Sequence, residues 1–221
     1  VFAPDPSMQL YGRGIRRRLA PMLGNDRRRI EMAYSLQFTL PGTPVLRYGE
    51  EIGMGEDLSL EERDAIRTPM QWSTGPNAGF STATADRLPH PMIDKGDLAY
   101  ERVNVASQRL DGGSLLHWME RALHTLRECP EFGQGTCHPV DTGETAVLAL
   151  RYQGPGGTML AVTNLAGSRR TVDLGQQSGQ EGEPVEVFAD QAYEPVGADL
   201  SGIRLGGYGY RWMRLAEVPG R

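Results

Sequence analysis

One short apolar run in the first half of the chain fixes where its chemistry can sit. Thr43-Pro44-Val45-Leu46-Arg47-Tyr48 ends in Gly49-Glu50-Glu51-Ile52-Gly53-Met54-Gly55, and a polar loop then leads to Arg67-Thr68-Pro69-Met70-Gln71-Trp72 and Asn77-Ala78-Gly79-Phe80. A buried strand that opens into glycines and acids at its C-terminal end is how α/β folds present ligand-facing loops. The glycines let the backbone turn tightly beside Glu50 and Glu51. Those carboxylates could orient sugar hydroxyls, pair with an arginine, or do neither.

Around this run the pattern predicts helix, strand, loop and helix in turn. Residues 25–40 read as a helix, since Asn25 or Asp26 can cap the first turn and Ile30, Ala33, Tyr34 and Phe38 recur on one face. Pro41-Gly42 ends it, and a strand over 43–48 follows within a few residues, as between successive α/β units. From Gly55 to Gly113 the chain is rich in Pro, Gly and polar residues, too long for an ordinary connector. Trp72, Phe80 and Tyr100 are expected to anchor it as an ordered excursion. Ser114 then offers a cap for a helix carrying Leu115, Met119, Ala122, Leu123 and Leu126.

After Cys129-Pro130 the texture changes to short strand-like runs at 146–152, 159–164, 170–174, 185–188 and 209–215. Turn clusters such as Gly154-Pro155-Gly156-Gly157 separate them, which predicts an antiparallel β-sandwich. The Gly/Gln/Glu-rich stretch from Gly175 to Glu183 reads as an exposed loop. The expected domains are therefore 1–130, of α/β type, and 131–221, all-β.

Size and charge narrow the function. With 221 residues the chain is shorter than the about 250 of a complete (β/α)8 barrel, so it cannot close one. A net charge of -5, from 23 Lys+Arg against 28 Asp+Glu, argues against nucleic acid as a partner. The runs Arg16-Arg17-Arg18 and Arg27-Arg28-Arg29 are expected on salt-bridged or solvated helix faces. Cys129 and Cys137 form no Cys-x-x-Cys and no disulfide framework, which fits a reducing cytoplasm. No apolar run reaches the ~18 residues that span a bilayer, so no membrane partner is expected.

Thr-Pro-Val-Leu-Arg-Tyr-Gly-Glu-Glu-Ile-Gly-Met over 43–54, followed by Arg-Thr-Pro-Met-Gln-Trp over 67–72, resembles the last barrel strand and following loop of the α-amylase superfamily, glycoside hydrolase family 13. The segment from Gly14 to Arg29, with its two arginine runs, is similar to the branch that isomerises maltose and trehalose by α-glucosyl transfer. The resemblance covers essentially the whole chain, and it implies the C-terminal end of a (β/α)8 TIM barrel followed by a C-terminal β-sandwich. At 47–51 the chain departs from the family, which more often has Tyr or Gln at the first position and frequently Asp at the fourth. The resemblance also implies an aspartate nucleophile, a glutamate acid/base and a stabilising aspartate, none of which lies in this sequence. The chain is therefore expected to be a C-terminal fragment, inactive alone, whose partners are the upstream barrel and maltose, trehalose or glucose. A homo-oligomer is compatible with this reading. Two alternatives stand beside it: an α-glucosidase, which shares Arg-Thr-Pro-Met-Gln-Trp, and a non-catalytic sugar-binding or structural module.

Four residues are expected at a substrate site: Arg67, Glu50, Glu51 and Trp72. The resemblance implies that Arg67 lies beside the sugar at the cleavage point, where a planar guanidinium can hold two oxygens in fixed geometry. Its alternative is a salt bridge to Asp64 or Glu62. Trp72 and Phe80 could stack on a sugar ring or plug a local core. Glu50 and Glu51 are poor candidates for nucleophile and acid, because neighbours at a strand end point to opposite sides and retaining chemistry needs carboxyls about 5–5.5 Å apart. Supporting the rim of the site suits them better. His90, His117, His124 and His138 show no metal-binding spacing, so no metal or other cofactor is expected.

Overall fold

The computed structural model describes residues 3–10, 14–154, 156–175 and 183–215. Apart from its two end residues, the loop expected from Gly175 to Glu183 lies outside the described residues. The chain divides into two compact units that interleave in sequence: 1–30 with 45–120, and 31–44 with 121–221.

The first unit is mostly loop, held by short regular pieces. Strands β1 (Gln9–Leu10) and β2 (Gly14–Ile15) pair antiparallel. A single turn, α1 (Leu19–Met22), leads to α2 (Arg27–Thr39), whose residues from Glu31 on belong to the second unit and whose first turn is capped by Asp26, its carboxylate accepting from Arg28 N–H at 3.0 Å. Ile30, Tyr34 and Phe38 are buried at the spacing that predicted the helix. The Arg16-Arg17-Arg18 run was expected on a helix face, yet it precedes α1, and Arg16 and Arg18 are buried.

The strand expected at 43–48 is not formed: no described strand pairs with it, and Val45 is 78% exposed. A strand exists only through a hydrogen-bonded neighbour, so apolar composition alone cannot make one. The excursion from 55 to 113 is ordered by one-turn 3-10 helices and by α3 (Val105–Leu110), capped by Asn104, whose side chain accepts from Ser107 N–H at 2.8 Å. It closes a small core of Ile52, Met54, Met70 and Val105. Helix α4 (Leu115–Arg127) follows, with Leu115, Trp118, Met119 and Ala122 buried on one face. Ser114 caps it, its hydroxyl accepting from His117 N–H at 3.3 Å.

The second unit is built on a five-stranded antiparallel sheet in the order β3-β4-β5-β9-β7. After α5 (Glu131–Gln134) come β3 (Thr136–Val140), β4 (Val147–Gly154), β5 (Gly157–Asn164), β6 (Arg170–Val172), β7 (Pro184–Ala189), β8 (Ile203–Leu205) and β9 (Tyr210–Leu215). β6 and β8 form a separate antiparallel pair. Val172, Ile203 and Leu205 of that pair share one core with Ala149, Leu160, Val162 and Met213 of the large sheet. On the other face Trp212 meets Phe132 at 5.3 Å between ring centroids and donates its indole N–H to Ser35 Oγ at 2.9 Å. Covered on both sides, β5 and β9 are buried almost throughout, without the in-and-out alternation of a half-exposed strand.

Candidate functional site

Two left-handed glycines build the first wall of the site. Gly49 (φ 84°) and Gly53 (φ 72°) bracket a single 3-10 turn, Glu50–Ile52, closed by Met54 N–H to Gly49 O at 2.9 Å. A Cβ at Gly49 would collide with the Met54 sulfur, so both the backbone and the space require glycine. Successive residues of such a turn are a third of a revolution apart, which sends the two carboxylates different ways. Glu50 Oε1 faces Arg18 Nη1 at 3.5 Å, whereas Glu51 lines an open cavity of about 400 Å³. The expected strand end is thus replaced by a helical turn.

The second wall comes from the Arg67–Trp72 segment and the turn after it. Asn77, Ala78 and Gly79 lie at φ 49°, 54° and 71°, three consecutive residues in the left-handed region. For Asn and especially Ala this conformation is strained. It is held because Ala78 O accepts both Trp72 N–H and Ser73 N–H at 2.9 Å, while the Asn77 amide donates to Ser81 O at 3.0 Å. The turn delivers Phe80 to the cavity beside Trp72. These two rings are 44% and 47% exposed, so they do not plug a core.

Tyr48, Glu51, Arg67, Met70, Trp72 and Phe80 surround the cavity. Three of the four expected site residues, Glu51, Arg67 and Trp72, meet there, and Glu50 is turned away toward Arg18. Arg67 Nη1 lies 3.8 Å from Asp64 Oδ1, and His90 Nε2 approaches the same carboxylate at 3.8 Å. With both Arg67 and Asp64 about half exposed, that pair adds little to stability. Planar aromatic faces, a guanidinium and one carboxylate around an open hollow can stack on a sugar ring and hold its hydroxyls.

Sequence reasoning missed two residues here. Tyr48 lines the cavity and donates its hydroxyl to Thr68 O at 2.9 Å, tying the two walls together. Arg18 lies against Tyr48, its guanidinium carbon 5.1 Å from the ring centroid, and is only 1% exposed. Burial lowers its pKa, and the nearby Glu50 carboxylate opposes that shift. Tyr48 was legible as the aromatic just before Gly49, whereas a buried arginine within a basic run carries no local signal. Its neighbours are also tied: Arg17 Nε donates to Glu56 Oε1 at 2.8 Å, and Arg16 Nη2 to Leu58 O at 3.0 Å. Among the described residues, no group of three or more His, Cys, Asp or Glu side chains could hold a metal ion. No described helix is long and apolar enough to cross a membrane.

Comparison with known proteins agrees with this geometry. Residues 15–134 match the family described as alpha amylase, catalytic domain. The chain is 40% identical over 220 residues to a trehalose synthase from Pimelobacter sp., covering 98% of this chain and 38% of that protein. It is 39% identical over 225 residues to a trehalose synthase/amylase from Mycolicibacterium smegmatis, again covering 98% of this chain and 38% of that protein. The chain thus spans well under half the length of these relatives. Among solved structures, the trehalulose synthase of Pseudomonas mesoacidophila superposes with a TM-score of 0.72 at 20% identity, over 90% of this chain and 41% of that one.

Proposed function

Because this chain belongs to the α-amylase family, we propose that it is the C-terminal portion of a trehalose synthase, a maltose α-D-glucosyltransferase that interconverts maltose and trehalose. In this reading residues 1–130 complete a (β/α)8 barrel, with 43–48 as its last strand, and 131–221 form a C-terminal β-sandwich. The exposure of Val45 supports that assignment, because an apolar side chain on a barrel strand is covered by the rest of the barrel.

The observation that carries the reading is the cavity. Trp72, Phe80 and Tyr48 offer faces for a glucosyl ring, and Arg67 and Glu51 offer hydrogen bonds to its oxygens. Glu50 and Glu51 diverge, so neither supplies the facing carboxylate pair that retaining chemistry needs. That pair, and the stabilising aspartate, are assigned to the upstream part of the protein. A carboxylate there would form the covalent glucosyl intermediate, and the released glucose would be recaptured in a pocket shielded from water. The ordered 55–113 excursion suits the shielding role, since a layer over the pocket keeps water from the intermediate. Maltose, trehalose and glucose are the ligands of this reading. The two cysteines, neither in a disulfide, support a reducing cytoplasm as its location.

The test is direct. The full-length protein is expected to convert maltose to trehalose, followed by NMR of the anomeric protons, while the 221-residue chain alone is expected to show no turnover above a heat-killed control. Net hydrolysis to glucose without trehalose would favour an α-glucosidase instead. Turnover by the isolated chain would remove the assignment of the carboxylates upstream.

A further inference from the structure

We infer that Arg18 is a positioning residue that sets the spacing between the two walls of the cavity, and through it the fit of the sugar. The inference rests on the sugar-site reading above but on different observations. Arg18 Nη1 donates to Tyr48 O at 2.8 Å, and Nη2 donates to Ile66 O at 3.1 Å. Tyr48 is the last residue before the Gly49 turn that carries Glu51, and Ile66 immediately precedes Arg67. One guanidinium therefore grips the backbone at the root of each wall. Its flat face also supports the Tyr48 ring, which itself lines the cavity.

Arg18 does not line the cavity, so it acts through the residues it holds. It is held in turn: its own N–H donates to Glu56 Oε2 at 3.0 Å, the carboxylate that also binds Arg17. Stability alone gives a poor reason for this arrangement. A buried guanidinium carries a desolvation cost, and its Nε is buried with no hydrogen-bond partner among the described residues. What an apolar or ammonium side chain cannot supply is the rigid fork that reaches two carbonyls at once while lying flat on a ring.

Arg16 provides an internal control. It is also buried, and it donates to the carbonyls of Ser7, Leu58, Leu60 and Glu62, none of which lines the cavity. Replacing either arginine by lysine disturbs a buried fork, but only Arg18→Lys should loosen the walls.

Two measurements decide. In the first, amide hydrogen exchange of wild type, Arg18→Lys and Arg16→Lys is compared on the full-length protein. In Arg18→Lys, segments 49–54 and 67–72 are expected to exchange together at least about tenfold faster, with Arg16→Lys leaving both near wild type. In the second, the same proteins are assayed on maltose. Arg18→Lys is expected to raise KM about tenfold and to increase the fraction of turnovers ending in free glucose, because a looser cavity lets water compete with the recaptured sugar. Arg18→Met, which removes the fork while keeping an apolar fill, should shift the same ratio in the same direction and also lower the melting temperature, because Tyr48 O and Ile66 O lose their donor and Glu50 its partner. Uniform exchange changes across the protein, or an unchanged KM and product ratio in a folded Arg18→Lys, would overturn the inference. A wild-type protein that makes no trehalose would instead sink the proposed function, and the exchange comparison would then decide on Arg18 alone.

Discussion

Arg67 is where a structural and a functional role separate most cleanly. The ion pair with Asp64 is long and half exposed, so it contributes about 0–1 kcal/mol. A grip on sugar oxygens is a charge-assisted bond of about 1.5–3 kcal/mol, and lysine cannot reproduce its two-pronged geometry. Arg67→Lys in the full-length protein is therefore expected to lower kcat/KM roughly tenfold to a hundredfold with little change in melting temperature. Asp64→Asn is expected to leave both nearly alone. A destabilised Arg67→Lys with normal kinetics would return Arg67 to a purely structural role. Arg67, Trp72 and Glu51 were legible in sequence because each sits in a compact motif. Arg18 was not, since its partners lie 30 and 48 residues away and its burial is a tertiary fact.

At the scale of elements, the helices and most strands followed from local pattern. α2 and α4 form where caps and apolar spacing placed them, and the five strand-like runs became β4, β5, β6, β7 and β9. β3 and β8 were missed: one contains Pro139, and the other is a three-residue run whose apolar residues face the shared core. The run at 43–48 failed in the opposite way, because its composition suits a strand but no described partner pairs with it. Two further predictions belong here. Ser35→Ala leaves the buried Trp212 indole N–H without its acceptor and is expected to cost about 1–3 kcal/mol, or about 2–4 °C of melting temperature per kcal/mol. The second concerns Tyr193, between β7 and β8, whose hydroxyl donates to Asp190 at 2.7 Å and accepts from Gly206 N–H at 2.9 Å. Burial pushes its pKa up to about 12 from the usual 10.0. Below pH 10 the phenol is neutral folded or unfolded, so its contribution is complete; above that the unfolded chain ionises first, and the contribution is lost toward pH 12. Tyr193→Phe is expected to flatten the fall in melting temperature across that window, and an unchanged slope would dissociate Tyr193 from alkaline unfolding.

For the molecule as a whole, the interleaving of the two units matters more than either alone. The chain passes from one unit to the other after residues 30, 44 and 120, so no single cut separates them. A truncated chain of residues 121–221 would lack Ser35 and Thr39, to which Trp212 and Tyr152 donate hydrogen bonds. In the living cell the same bond becomes a matter of timing. Ser35 is made 177 residues before Trp212, and at ribosomal speed that gap lasts on the order of ten to thirty-five seconds. For about the first hundred residues of it no strand of the large sheet exists, since β3 begins at Thr136, and β9, which carries Trp212, is the last described strand to be made. A nascent chain of this kind waits for the end of its own sheet before the Ser35 acceptor is used.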